Sequence, residues 1–157
     1  MTPAITALKR AKLPFDILEY QHDPDAPSYG EEAAEALGLE PAQVFKTLLV
    51  ALTGHKSSLA VAVVPVTHQL NLKAIARAVG AKKAAMADTA VAEKTTGYIV
   101  GGISPIGQKK ALPTVIDASA ETLENMHVSA GRRGLEVALT PANLASITRA
   151  RFFDIRD

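Results

Sequence analysis

Apolar positions switch period repeatedly along the chain, and each switch marks an element. Thr2-Pro3 is an N-cap followed by proline at the first helical position. Ile5, Leu8 and Lys12 then recur at helical spacing and predict a helix over TPAITALKRAKL, which Pro14 stops. FDILEY (15–20) alternates and predicts a strand. The loop QHDPDAPSYG carries Pro24 and Pro27, after which Ser28 and Glu31 form an S-x-x-E capping box for the helix GEEAAEALGL, with Gly38 as C-cap. Pro41 opens a short turn. Two apolar runs, VFKTLLVAL (44–52) and SLAVAVVP (58–65), flank the turn TGHKS and predict a hairpin.

Beyond the hairpin the period shortens and lengthens again. Asn71 caps LKAIARAV, which Gly80 ends, and AKKAAM follows as a short strand. Asp88 caps DTAVAEKTTG. IVGG (99–102) and LPTVIDA (112–118) are expected strands, joined by ISPIGQKKA, and Ser119 is expected to open a helix over ETLENM. HVSAG and LEVAL flank Arg132-Arg133-Gly134 as a second hairpin; Thr140-Pro141 repeats the opening cap device for ANLASITRA, and ARFFDI is a last strand. Strict βαβ alternation is missing and several strand pairs have turn-length connections. The pattern predicts one mixed α+β domain over residues 1–157, with a largely antiparallel sheet or barrel surrounded by helices.

Composition narrows the chemistry. The chain has 157 residues, enough to bury a real core, and its apolar content is aliphatic, with no tryptophan. Cysteine is absent, which excludes a disulfide framework, a thiolate metal site and a protein-borne thiol nucleophile together. The reducing cytoplasm is the expected location. No apolar run near the N-terminus suits a signal peptide or a membrane span, and no membrane partner is expected. Residues 1–50 carry four Lys/Arg against eight Asp/Glu, and the rest thirteen against eight. The basic residues come in pairs, Lys82–Lys83, Lys109–Lys110 and Arg132–Arg133, with Arg149, Arg151 and Arg156 near the end. They either converge into one phosphate-binding patch or decorate solvated turns.

Motifs for familiar catalysis are missing. Gly102 to Lys109 has the G-x-x-x-x-G spacing of a P-loop, but Gln108 stands in the place of its lysine and Pro105 removes an amide. His22, His55, His68 and His127 sit in four separate segments without metal-ligand spacing, so no metal is expected. Ser104 and Ser129 lie beside glycine-rich turns, with no base in evident reach. An enzyme built this way works by positioning and electrostatics.

Lys46 is the sharpest local anomaly. An unpaired ammonium in a dry core costs on the order of several kcal/mol, yet Lys46 stands in VFKTLLVAL. Alternation puts Lys46, Leu48 and Val50 on one face and Thr47, Leu49 and Ala51 on the other. Two readings stay open at this level: an edge strand whose lysine snorkels into water, or a functional cation at the mouth of a cleft. On the second, Lys46 is expected to point into the largest polar-mouthed cleft.

VFKTLLVAL, TTGYIVGGISPIGQKK and VSAGRRGLEV, in this order and spacing, resemble the YbaK family. These are free-standing aminoacyl-tRNA editing proteins related to the insertion domain of bacterial prolyl-tRNA synthetase, and the resemblance covers essentially the whole chain. Its nearest likeness is to the Cys-tRNA(Pro) deacylases rather than to the alanine-specific relatives. The resemblance implies a mixed barrel with surrounding helices and no cofactor. It places the family's lysine, which meets the tRNA 3′ end, on Lys46. The family's G-x-x-x-P loop falls on Gly101-x-x-x-Pro105, whose amides, with those of Gly102 and Ser104, would bind the aminoacyl ester. Lys46 and Gly101 are thereby the implied catalytic positions, and Tyr20, Tyr29, Thr47, Gly102, Ser104, Pro105, Ser129 and Glu136 the implied substrate-binding ones. Two of these depart from the family pattern: Tyr29 replaces Phe, and Glu136 replaces the Asp of G-[KR]-R-G-L-D.

The resemblance also implies a reaction. Cysteine is small enough to enter a proline pocket, so a second site must remove it. In the family's proposed mechanism the substrate's thiol attacks its own ester carbonyl and releases a cyclic thiolactone. The implied partners are the aminoacyl-tRNA 3′ end, possessed by tRNA(Pro) or tRNA(Cys), and a transient complex with prolyl-tRNA synthetase, the protein itself being a monomer. The alternatives are an Ala- or Ser-tRNA hydrolase using activated water, and a non-catalytic module of the same fold that binds tRNA or a synthetase.

Overall fold

A computed structural model describes residues 1–26 and 28–157; Pro27, the second proline of the loop before the second helix, lies outside the described residues. The helices are α1 (Pro3–Ala11), α2 (Tyr29–Leu37), α3 (Leu72–Val79), α4 (Thr89–Thr96) and α5 (Pro141–Thr148). The strands are β1 (Asp16–Glu19), β2 (Phe45–Thr53), β3 (Leu59–Pro65), β4 (Lys83–Met86), β5 (Thr114–Asp117), β6 (Met126–Arg132), β7 (Leu135–Leu139) and β8 (Arg151–Phe153). Local chemistry sets most boundaries. Thr2, Asn71 and Thr140 accept the N–H three residues on, each closing a helix start. Gly38 and Gly80 end their helices in the left-handed conformation.

The strands form two sheets, the sheet alternative of the expected fold, and not the barrel that the family resemblance implied. One has the order β1-β7-β6 and the other β4-β2-β3-β5-β8. Pairing is antiparallel except for β3–β5 and β5–β8. The predicted hairpins are present: β2 pairs with β3 from Phe45↔Pro65 to Ala51↔Leu59, and β6 with β7. Val44 bridges to His127, so the start of β2 is where the two sheets touch.

Two expectations fail. Residues 99–102 are not a strand: Gly102 donates its N–H to the Ile99 carbonyl (2.9 Å), folding IVGG into a turn. ETLENM is not a helix; a short 3₁₀ turn covers Ala118–Thr122, and its cap is Asp117, whose carboxylate accepts from the Ser119 N–H. Asp117 is almost fully buried and also accepts from the N–H groups of Ile155 and Arg156, tying the chain end to β5.

The β2 alternation holds in three dimensions. Phe45 and Leu49 enter the main core with Ile5, Leu8, Val61, Val63 and Val137. Leu48 and Val50 face α3, packing with Ala74 and Ile75. Lys46 therefore lies on the α3 side of the sheet, at the end of the strand nearest the second sheet.

Candidate active site

β4 pairs only with residues 50–53 of β2. The first half of β2 is thus left without a strand on that edge, and a cleft of about 250 Å³ opens there. One wall is Lys46, Thr47 and Leu48; a second is Tyr20, Ser129 and Glu136 from the other sheet. Tyr29 and Gly30 of α2 and Val100, Gly101 and Ile103 of the glycine loop close it. It is not the largest depression, as was expected of the lysine's cleft: two others reach about 390 and 540 Å³. The larger two lie on helix surfaces, whereas this one lies between sheets.

Seven of the ten candidate residues line this cleft: Lys46, Gly101, Tyr20, Tyr29, Thr47, Ser129 and Glu136. Gly102, Ser104 and Pro105 stand behind it. A β-carbon on Gly102 would fall 2.7 Å from the Arg132 Cα, so glycine there lets the tip of the β6–β7 hairpin press against the loop. Its N–H already serves Ile99, which removes it from the set of amides facing a ligand. Ser104 is fully buried; its Oγ accepts from the Ile106 N–H, and its carbonyl from Gln108 Nε2. Gly101 is different. Its φ of +87° and the Tyr29 ring 2.7 Å from a would-be β-carbon both require glycine.

Arg133 is the cleft residue that sequence reading missed. Its Nε donates to the Val100 carbonyl (2.9 Å), and its guanidinium stacks 5.0 Å above the Tyr29 ring centroid. It clasps loop and helix together across the mouth of the cleft. The basic pair before Gly134 was a visible signal, but nothing local told which of the two arginines turns inward. Arg132 reaches instead to the exposed Glu19 (3.3 Å). The histidines likewise held a hidden pairing: His22 Nδ1 lies 2.7 Å from Glu32 Oε1.

The cleft sets unusual proton affinities. Burial lowers the pKa of the Lys46 ammonium, and the Glu31 carboxylate partly restores it. Burial pushes Glu136 up from 4.5 to about 8, with no donor or cation to offset it. Burial, and then the Glu136 charge, raise the Tyr20 phenol to about 12. At neutral pH the cleft therefore contains a neutral carboxylic acid beside the Lys46 amine and the hydroxyl residues Tyr20, Ser28, Tyr29, Thr47 and Ser129. Ser129 Oγ accepts from the Gly131 N–H (3.3 Å), and Thr47 Oγ1 is buried with no partner among the described residues.

The Glu136 shift predicts a pH-dependent stability. Between pH 4.5 and about 8 the folded chain holds a proton that the unfolded chain has released. Stability then falls as pH rises through that window and levels off above it. Glu136→Gln removes the titration. Relative to the parent, the variant should gain on the order of 4 kcal/mol between pH 4.5 and pH 9. Urea unfolding of both proteins at the two pH values measures it; parallel pH profiles would place Glu136 in contact with solvent or a cation.

Comparison with known proteins gives the family and the fold. The family model of the aminoacyl-tRNA editing domain matches residues 23–147. An Enterococcus faecalis protein named "Putative Cys-tRNA(Pro)/Cys-tRNA(Cys) deacylase EbsC" is 40% identical over 154 residues, covering 98% of this chain and 92% of that one. A structure described as "Crystal structure of a putative trans-editing enzyme for prolyl tRNA synthetase" superposes with a TM-score of 0.85 at 22% identity, covering 99% of this chain and 95% of that one. A crystal structure of a hypothetical protein does so with a TM-score of 0.84 at 23% identity, covering 99% of each chain. At such identities the structural likenesses speak for the fold alone.

Proposed function

The chain belongs to the aminoacyl-tRNA editing domain family, and from that premise we propose that it deacylates Cys-tRNA(Pro), using the substrate's own thiol as nucleophile. The relative's name supplies the substrate class. The observation that carries the chemistry is the cleft's content. Lys46 and the Gly101 loop share one cavity of about 250 Å³, and among the described residues the Ser129 and Thr47 hydroxyls hydrogen-bond to no base. A cavity of that size is below the ~300–1,000 Å³ of drug-sized pockets and suits a small aminoacyl group with the sugar that bears it.

The reaction balances without a protein nucleophile. The sulfur attacks the ester carbonyl carbon, the carbon–oxygen bond to the ribose breaks, and the thiol proton passes to the departing ribose oxygen. The products are a thiolactone and free tRNA. Holding thiol and carbonyl in contact lowers the barrier by removing the entropy of encounter. The amide region of Gly101 and the Lys46 ammonium are the groups placed to stabilise developing negative charge. Neutral Glu136 supplies a hydrogen bond to the aminoacyl group. The one-domain extent over residues 1–157, a cytoplasmic setting and a transient complex with prolyl-tRNA synthetase are parts of the same proposal.

Deacylation of Cys-, Ala- and Ser-tRNA(Pro), measured side by side, tests the substrate. Cys-tRNA(Pro) should be cleaved at least ~10-fold faster than the serine ester, because a hydroxyl is a far weaker nucleophile than a partly ionised thiol. Equal rates on serine or alanine esters would mean that water attacks, and the substrate assignment would fall with the mechanism.

A further inference from the structure

A depression of about 540 Å³ lies between α3 and β4, remote from the cleft. Lys73 and Arg77, one turn apart on α3, form one bank, and Lys82 and Lys83 the other. The floor between them is mostly alanine, and no carboxylate lines it. All four cations are exposed, and none forms a salt bridge among the described residues. Gly54 of the β2–β3 turn lies against Lys82. The paired basics do not all meet at one place. Arg133 is at the cleft, Arg156 is 3.9 Å from Asp117, and Lys82–Lys83 instead meet two α3 cations that were not counted with them.

We propose that this groove binds the phosphate backbone of the tRNA acceptor stem while the 3′ end occupies the Lys46 cleft; the inference rests on the deacylase reading above. Three observations carry it. First, four unpaired cations on two facing banks match a polyanion ridge rather than a single anion. Second, the distance fits. Lys83 stands opposite Thr53 on β2, so the groove lies roughly 23 Å along the strand from Lys46 at ~3.3 Å per residue. A single-stranded 3′ end of about four nucleotides spans roughly 14 Å when stacked at ~3.4 Å each, and more when unstacked. Unstacked and extended, those nucleotides bring the first paired phosphates toward the groove; stacked, they stop short of it. Third, the path in another direction is closed electrostatically. The depression that shares Ser28 with the cleft is lined by Asp23, Asp25, Glu31, Glu32 and Glu35, and repels phosphates.

The test compares the full substrate with one too short to reach the groove. Two double variants, K73E/R77E and K82E/K83E, are assayed on Cys-tRNA(Pro) and on a cysteinyl ester of adenosine, with affinity for uncharged tRNA(Pro) measured over a range of salt. The inference requires that each variant lower the tRNA-to-short-ester ratio of kcat/KM about 10-fold or more, and reduce the salt slope of tRNA binding by about two. Melting curves matching the parent exclude unfolding, as expected for exposed side chains. Unchanged tRNA affinity and salt slope in both variants would overturn the inference, including the case where only binding to a protein such as a synthetase is lost. Failure of the parent protein to cleave either cysteinyl ester would instead overturn the deacylase reading.

Discussion

Methylating the thiol of Cys-tRNA(Pro) should reduce enzymatic deacylation by a factor of at least ~10², while binding survives. Methylation removes both the sulfur's proton and its ability to become a thiolate. It adds one carbon to a group that the cleft of about 250 Å³ can hold. The side chains around the ester offer no substitute nucleophile. Ser129 Oγ is engaged with the Gly131 N–H, Ser104 Oγ is sealed behind the loop against Ile106, and Thr47 Oγ1 has no partner that could take its proton. Single-turnover rates on the normal and S-methylated esters, with a competition assay for affinity, decide the matter. If the methylated ester is cleaved as fast as the natural one, a water or a side chain attacks, and the substrate-assisted mechanism is wrong.

The second large effect is expected at Lys46. Lys46→Ala should lower kcat/KM on Cys-tRNA(Pro) by about 30-fold or more, equivalent to about 2 kcal/mol of transition-state stabilisation. Lys46 lines the cleft with Gly101 and carries no salt bridge among the described residues. Its cation is therefore available to phosphate or developing oxyanion. The same substitution deletes no buried apolar volume. It also removes a charge that burial already disfavours, so stability should stay within about 1 kcal/mol of the parent. Thermal melts beside the kinetics separate the two effects. Retained activity with an unchanged melt would make Lys46 a snorkelling edge residue. A comparable loss on the short adenosine ester would place the contact at the ester itself rather than farther along the RNA.

Local sequence decided what a few neighbouring residues can decide. Thr2, Ser28, Asn71 and Thr140 mark helix starts because a cap is made within three residues. The β2–β3 and β6–β7 hairpins follow from apolar runs around short turns. Lys46 was legible as an anomaly because its conflict lies with its immediate neighbours in the strand. The rest needed the chain to meet itself. IVGG has the composition of a strand, but the approach of the β6–β7 hairpin to Gly102 and of Tyr29 to Gly101 leaves it as a turn. Two sheets form in place of a barrel because β7 pairs with β1 and β6 while β3 pairs with β5, choices separated by dozens of residues. Nothing around Glu136 in the sequence foretells a pKa of about 8, since the shift comes from the burial that folding imposes. Arg133 over Tyr29 is likewise a contact between distant segments, and the grouping of Lys73 and Arg77 with Lys82 and Lys83 follows from how α3 packs beside β4. Capping and periodicity are short-range and can be read in one dimension; burial, charge proximity and the free space of a cleft are set by packing, and only the tertiary structure supplies them.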